Sequence, residues 1–183
     1  MSYSSEMRSP LAVVTFLAAL GFSIAMPLCG EQMPQVTGES LSGKQISFPS
    51  ASAGSVAVVC VGFSHASQSQ LKPWAERATS EFGEKSRVLV YSIAVLEDAP
   101  RLVRGMAVHG MKIAVPAQQH DYFVVVYQGE GELKRITGFQ RPGEAYILLL
   151  DPKGKIQWVS HGPVTDAAFQ ELTDRVHSIL RSE

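Results

Sequence analysis

The run Val56-Ala-Val-Val-Cys-Val-Gly-Phe63 constrains the fold more than any other part of the chain. It is apolar at every position and rich in β-branched residues, with no alternation to mark a solvent face. A strand of that kind is covered on both sides, which points to a sheet sandwiched between helices. A polar loop of residues 64–69 follows, and then Leu71, Trp74, Ala75, Ala78 and Phe82 recur at helical spacing until Gly83 stops the pattern. Pro73 lacks a backbone donor, so it bounds the first turn of this helix or kinks it. The run from Arg87 to Val95 is a second buried strand, which completes a parallel, right-handed strand–helix–strand unit.

The rest of the chain reads in the same terms. Residues 33–41 are expected to be irregular and extended. A turn at 42–44 and a short edge strand at 45–48, closed by Pro49, make a small leading hairpin. After the second buried strand, a helix is expected over about 99–108 with Gly110 as its stop. A third apolar run follows at 122–127, then a short helix at 130–137 that leaves through Gly138. Residues 146–150, a turn at 151–154 and residues 155–159 form an antiparallel hairpin. Thr165 caps a last helix whose stripe is Phe169, Leu172, Val176 and Ile179.

The 183 residues are enough for one domain with appendages, expected as 1–25, 26–53 and 54–183. Residues 9–30 carry no charge and follow Arg8, the pattern of a signal peptide, and Ser23 and Ala25 offer small residues for cleavage. An exported protein, periplasmic or anchored to a membrane through residues 9–30, is therefore expected. An uncleaved anchor and lipid attachment at Cys29 are the alternatives, although no small residue precedes Cys29. A mitochondrial presequence fits less well, because the segment has one arginine and a continuous apolar run. Acidic and basic side chains are interspersed and sum to −1, which disfavours nucleic acid as a partner.

Strand, helix, strand, further helix, hairpin and final helix is the order of a thioredoxin-like domain. Val58-Val-Cys-Val-Gly-Phe63 leading into a proline-containing helix resembles that superfamily. So does Ala145-Tyr-Ile-Leu-Leu-Leu-Asp-Pro-Lys-Gly-Lys-Ile156, which is similar to the closing hairpin of the exported thiol-disulfide reductases. The resemblance implies a three-layer α/β/α sandwich with a mixed central sheet and an N-terminal hairpin extension. It also implies two cysteines at the start of the helix, where the helix N-terminus stabilises a thiolate, and a cis-proline opposite them. Here those positions hold Gln68, Leu71 and Ala145.

A narrower resemblance rests on residues 33–49, on Leu71-Lys-Pro-Trp74, on the stretch from Glu144 to Trp158, and on Gly162 and Thr165. These are similar to the mitochondrial ATP synthase assembly-factor family with a thioredoxin-like fold, whose members are implied to chaperone a membrane subunit. Gln157 stands where that family usually has arginine, and the exported-looking N-terminus departs from matrix import.

The expected function is protein binding without thiol catalysis and without a cofactor or metal. The partner class is a protein, such as a subunit of a membrane or envelope complex whose assembly this chain assists. The binding candidates are Ser64, His65, Ser67 and Gln68 in the loop, Arg141 and Glu144 on the facing rim, and Tyr146 and Trp158 carried over from the resemblance. Ser67 is expected to cap the helix, and Trp158 to pack under the last one. The Ser64-His65 pair lacks an acid partner and a nucleophile elbow. His109, His120, His161 and His177 have no ligand spacing. The competing enzyme reading is a thiol oxidoreductase or peroxidase built on Cys60, which requires that thiol to be accessible and acidic. A disulfide between Cys29 and Cys60 is not expected, since Cys60 reads as a small buried hydrophobe.

Overall fold

The computed structural model describes residues 30–83 and 87–182. The proposed signal or anchor segment and Cys29 lie outside the described residues. Among the described residues, no helix is long and apolar enough to cross a membrane.

Seven strands form one mixed sheet: β1 (Val36–Ser40), β2 (Gln45–Phe48), β3 (Val56–Gly62), β4 (Val88–Val95), β5 (Phe123–Val126), β6 (Ala145–Leu150) and β7 (Ile156–His161). They lie in the order β2-β1-β5-β4-β3-β6-β7. β3, β4 and β5 run parallel, and the leading and closing hairpins add antiparallel pairs at the two edges. The four helices are α1 (Gln68–Phe82), α2 (Arg101–Ala114), α3 (Glu130–Thr137) and α4 (Asp166–Arg181).

β3 shows why its run had to be apolar throughout. Val56, Val58 and Cys60 enter one core with Leu71, Trp74 and Phe82 of α1 and Phe169, Leu172 and Val176 of α4. The alternate residues Ala57, Val59 and Val61 enter the opposite core beneath Leu133 and Ile136 of α3. Successive strand side chains point to opposite faces, so a strand between two helical layers has no polar side. The expected three-layer α/β/α sandwich is what forms.

Three local expectations need correction. Residues 36–40 are a strand, β1, which pairs with β2 and also with β5. Its core-facing positions are Val36, Gly38 and Ser40. Gly38 is there because a Cβ at that position would lie 2.5 Å from the Val125 carbonyl oxygen. With one large apolar residue in five, the strand had no hydrophobic period to read. The helix expected to stop at Gly110 runs on to Ala114. Glycine in a helix interior costs only about 1 kcal/mol relative to alanine. The actual stop is Val115, extended at ψ 130° because Pro116 follows it. Ser67 sits at the N-cap position of α1 but makes no capping bond, whereas Thr165 does cap α4 by accepting from the Ala168 N–H at 3.2 Å.

The residues that carry the narrower resemblance meet inside this framework. The Trp74 indole donates to the Gly162 carbonyl at 3.0 Å, which ties α1 to the end of β7. Trp158 packs edge-on against Trp74 at 6.4 Å between ring centres, in the core it shares with Phe169 and Leu172 of α4 as expected, whereas Ile156 enters the opposite core across the register shift at Leu149 and Leu150. Asp151 organises the hairpin turn by accepting from the Lys153 and Lys155 amides, each at 2.9 Å, and from the Gln157 side chain at 2.8 Å.

Candidate functional site

The loop from β3 to α1 closes on itself through serines. Ser67 Oγ donates to the Ser64 carbonyl at 2.7 Å, the Ser67 amide donates to Ser64 Oγ at 3.3 Å, and Ser64 Oγ donates to the Pro142 carbonyl at 2.6 Å. Gly62 permits this, since a Cβ there would stand 2.5 Å from Ser67 Oγ. Ser67 is therefore buried, and the loop is less of an exposed polar surface than its composition implies. His65 is exposed, while Ser64 and Gln68 are half-buried. Ser64 spends its proton on Pro142, so it forms no nucleophile–base pair with His65.

The facing rim, residues 139–145, is held from below by Tyr146. Its buried phenol oxygen accepts from the Gln140 and Arg141 amides, each at 2.9 Å, and donates to the Arg141 carbonyl at 3.0 Å. Phe63, Phe139 and His161 pack on or around the same ring. Above it, Glu144 bridges Arg141, at 2.6 Å, and His161 Nδ1, at 3.1 Å. Gln70 Oε1 accepts from the Ala145 amide at 3.3 Å, which joins the rim to the first turn of α1.

Of the residues singled out in the sequence, Ser64, His65, Gln68, Arg141 and Glu144 do come together at the C-terminal end of β3. Tyr146 and Trp158 do not belong to that surface. Tyr146 is wholly buried and Trp158 nearly so, and both serve the architecture. His161 joins the rim through Glu144, a link that forms only when β7 is laid beside β6. His120 bonds the Val115 carbonyl at 2.9 Å. His109 and His177 are exposed on α2 and α4. Among the described residues, no group of three His, Cys, Asp or Glu side chains is placed to hold a metal.

Cys60 is a free thiol fully enclosed in β3. Burial disfavours the thiolate and pushes its pKa up to about 12, opposite to what a nucleophilic cysteine requires. Neither condition of the Cys60 enzyme reading is met. The two positions that correspond to the thioredoxin-type cysteines hold Gln68, half-buried, and Leu71, which belongs to the core.

Beside the loop, a groove of about 860 Å³ runs between α1 and α2. Its floor is Ser92, Ala94 and Phe123, and Ser64, His65 and Gln68 lie at its upper end. A second cavity of about 500 Å³ shares Ala75, Ser92, Gln119 and Phe123 with it and continues toward Gly83. No local pattern of residues signals this feature. Its walls lie some thirty residues apart in the chain, and each reads locally as an ordinary helix.

Comparison with known proteins agrees with this architecture. BsSco, a member of the Sco family of cytochrome c oxidase assembly proteins, superposes with a TM-score of 0.56 at 15% identity, covering 84% of this chain and 95% of that one. The thioredoxin domain of a thiol-disulfide oxidoreductase from Bacteroides vulgatus gives 0.53 at 21% identity, covering 81% and 97%. The exposed lipoprotein thioredoxin of Streptococcus pneumoniae gives 0.54 at 16% identity, covering 77% and 99%. At such identities these matches establish the thioredoxin-like fold. No curated protein sequence matches the chain. The sequence model described as ATP10 protein matches residues 31–179, most of the chain. The chain therefore belongs to the ATP10 family of ATP synthase assembly factors, built on a thioredoxin-like fold.

Proposed function

We propose that this chain is an exported, non-catalytic binding protein that assists assembly of a membrane complex, with a membrane-embedded subunit as its client. The observation that carries the reading is the state of the strand–loop–helix junction. A thioredoxin-like enzyme would keep a thiolate there, and this chain has serines bonded to backbone carbonyls, with its nearest thiol sealed beneath them. Membership of an assembly-factor family supports the same role. The polar groups left at the surface, His65, Gln68, Arg141 and the Glu144–His161 pair, belong to loops positioned by a rigid sheet, which suits contact with a partner. Export rests on the uncharged run 9–30 behind Arg8, and N-terminal sequencing of the native protein tests it, with cleavage after Ala25 the expected result.

Two measurements on the full chain decide the functional reading. Insulin reduction and peroxide turnover should stay at background in the wild type. Turnover that disappears in Cys60→Ser would sink the non-catalytic claim. In the host, loss of the chain should lower the amount of assembled complex on native gels, and crosslinking in membranes should capture a subunit of that complex. Normal assembly without the chain would refute the assembly role.

A further inference from the structure

Helix α2 is unlike the other three. α1, α3 and α4 each bury at least four residues, and α2 buries none. Its inner face, with Val108, Met111 and Val115, only partly covers the small core made by Leu41, Ala94, Phe123 and Val125. Among the described residues, the large hydrophobic side chains left exposed are Leu102, Val103, Met106 and Ile113 of α2 together with Tyr122. Tyr122 lines the lower end of the groove. Isolated exposed apolar residues need no explanation, but a set confined to one helix and the end of the groove beneath it does.

The groove has the dimensions and chemistry of a helix seat. α2 has fourteen residues, about 21 Å at 1.5 Å per residue, and forms one wall along that length. Ala75 and Thr79 on α1 and Ala107, Gly110 and Ala114 on α2 leave gaps along both walls, between the larger apolar side chains Leu71, Val103, Met106 and Met111. Small residues let a third helix approach closely. The strands of the floor are already paired on both sides, so the groove offers no free sheet edge. An occupant must satisfy its own backbone hydrogen bonds, and in an apolar slot that requirement selects a helix over an extended segment.

Charge further narrows the occupant. Among the described residues, the second cavity, which continues the groove toward Gly83, is lined without a charged side chain. At the upper part, near the C-terminal end of β4, lie Glu76, Asp98 and Glu130 against the single Lys72. Glu76 faces Lys72 at 3.7 Å, and Glu130 pairs with Lys134 at 2.5 Å. Lys134 also feels Asp98, and with Glu76, Asp98 and Glu130 set against Lys72 and Lys134 the mouth keeps an acidic excess. The complement is an apolar helix with basic residues at one end, the pattern of a membrane-spanning helix and its flank. A second copy of the chain is a poorer fit, because α1, α3 and α4 are committed to its own cores and α2 stays attached along its inner face to Leu41, Ala94, Phe123 and Val125, so it could not enter the slot as a free helix. A flat bilayer does not reach a floor lying beneath two helices.

We propose that the groove between α1 and α2 seats an apolar, basic-ended helix of a membrane protein in a parallel or antiparallel position between them, with its basic end at Asp98. The inference rests on the binding role proposed above and specifies the partner's chemistry. Its test does not depend on complex assembly. Full-length chain is titrated into a fluorescent synthetic peptide of about 18 Leu and Ala residues ending in two lysines, with a peptide ending in two glutamates for comparison. Fluorescence anisotropy reports binding. Wild type should saturate with the lysine-ended peptide and bind the glutamate-ended one several-fold more weakly. Ala107→Trp and Ala75→Trp, which fill the slot from opposite walls, should each weaken binding at least tenfold with circular dichroism unchanged. Asp98→Lys should reverse the preference between the peptides.

Unsaturable binding by wild type, or undiminished binding by whichever filled variant is folded, overturns the inference. So does self-association, seen by sedimentation and abolished by the filled variants while peptide binding persists, which would assign the groove to a second copy. Uptake by phosphatidylcholine–phosphatidylglycerol vesicles that depends on Leu102 and Ile113 but not on the groove-filling variants would assign the face to lipid. If the filled variants lose the peptide while the complex assembles normally in the host, the groove is not the assembly site and the inference falls, with the assembly role standing. Failure of assembly without any wild-type binding of the peptide overturns the inference on the same terms.

Discussion

Cys60 and Tyr146 are both fully enclosed, the first holding a thiol neutral and the second holding the rim above it. Cys60 lies in an uninterrupted apolar strand, and that context alone predicts a small buried side chain, which its enclosure bears out. Its proton linkage follows. Unfolded, the thiol ionises near 9.0, whereas in the folded protein burial holds it neutral to about 12. Between those values the unfolded state has lost a proton that the folded state retains, so stability falls as pH rises. Cys60 contributes up to about a tenfold fall in the folding equilibrium per pH unit in that window. Cys60→Ala should remove this component, seen as a shallower alkaline decline in urea midpoints. The native thiol should also resist maleimide at pH 8 and react once unfolded. Tyr146 was a contact candidate because of its motif, and nothing in the motif says that its hydroxyl turns inward to three backbone groups. Tyr146→Phe would leave buried amides unpaired and should cost about 1–3 kcal/mol. Faster hydrogen exchange at Gln140 and Arg141 would locate the loss.

At the scale of elements, legibility followed hydrophobic period. β3, β4, β6, α1 and α4 were readable because burial on one or both faces writes itself as an apolar run or stripe. β1 was not, since Gly38 fills its core position with backbone in close contact with Val125. α2 runs past Gly110 because an interior glycine carries only a weak local penalty, and it ends where Pro116 imposes an extended conformation on Val115. The two glycines Gly38 and Gly105 should accordingly respond in opposite directions. A Cβ on Gly105, inside α2, meets open space, so Gly105→Ala should raise stability by about 1 kcal/mol, near the difference in helix propensity. Gly38→Ala forces β1 away from β5 and should lower it, by about 1–3 kcal/mol if the strand shifts to relieve the overlap. Thermal melts of the two variants beside wild type check both signs. The rim residues were individually legible as loop positions, while the Glu144–His161 link and the groove depend on which elements become neighbours. No local pattern encodes that.

For the whole molecule, the division between an N-terminal extension at 26–53 and a domain beginning at 54 carries a consequence for stability. The leading hairpin shares the central sheet through β1 and β5, with Ser40 opposite Val124 and Glu39 opposite Val125. It also supplies Met33, Val36 and Phe48 to the core under α3, where Phe48 meets the Tyr91 ring edge-on at 5.0 Å. Gly30 and Glu31 bond to Ile156 at the other edge of the sheet, so this segment touches both ends of one layer. Removing it would expose the β5 edge and uncover large apolar side chains of β4 and α3 at once. Phe48→Ala alone should cost about 3–5 kcal/mol, a large part of the stability of an ordinary domain. A chain that begins at Gly54 should therefore show no cooperative thermal transition, whereas one that begins at Gly30 should melt as the full protein does. If the shorter chain melted cooperatively near the temperature of the longer one, the hairpin would be an appendage, and the fold would be complete from Gly54 onward.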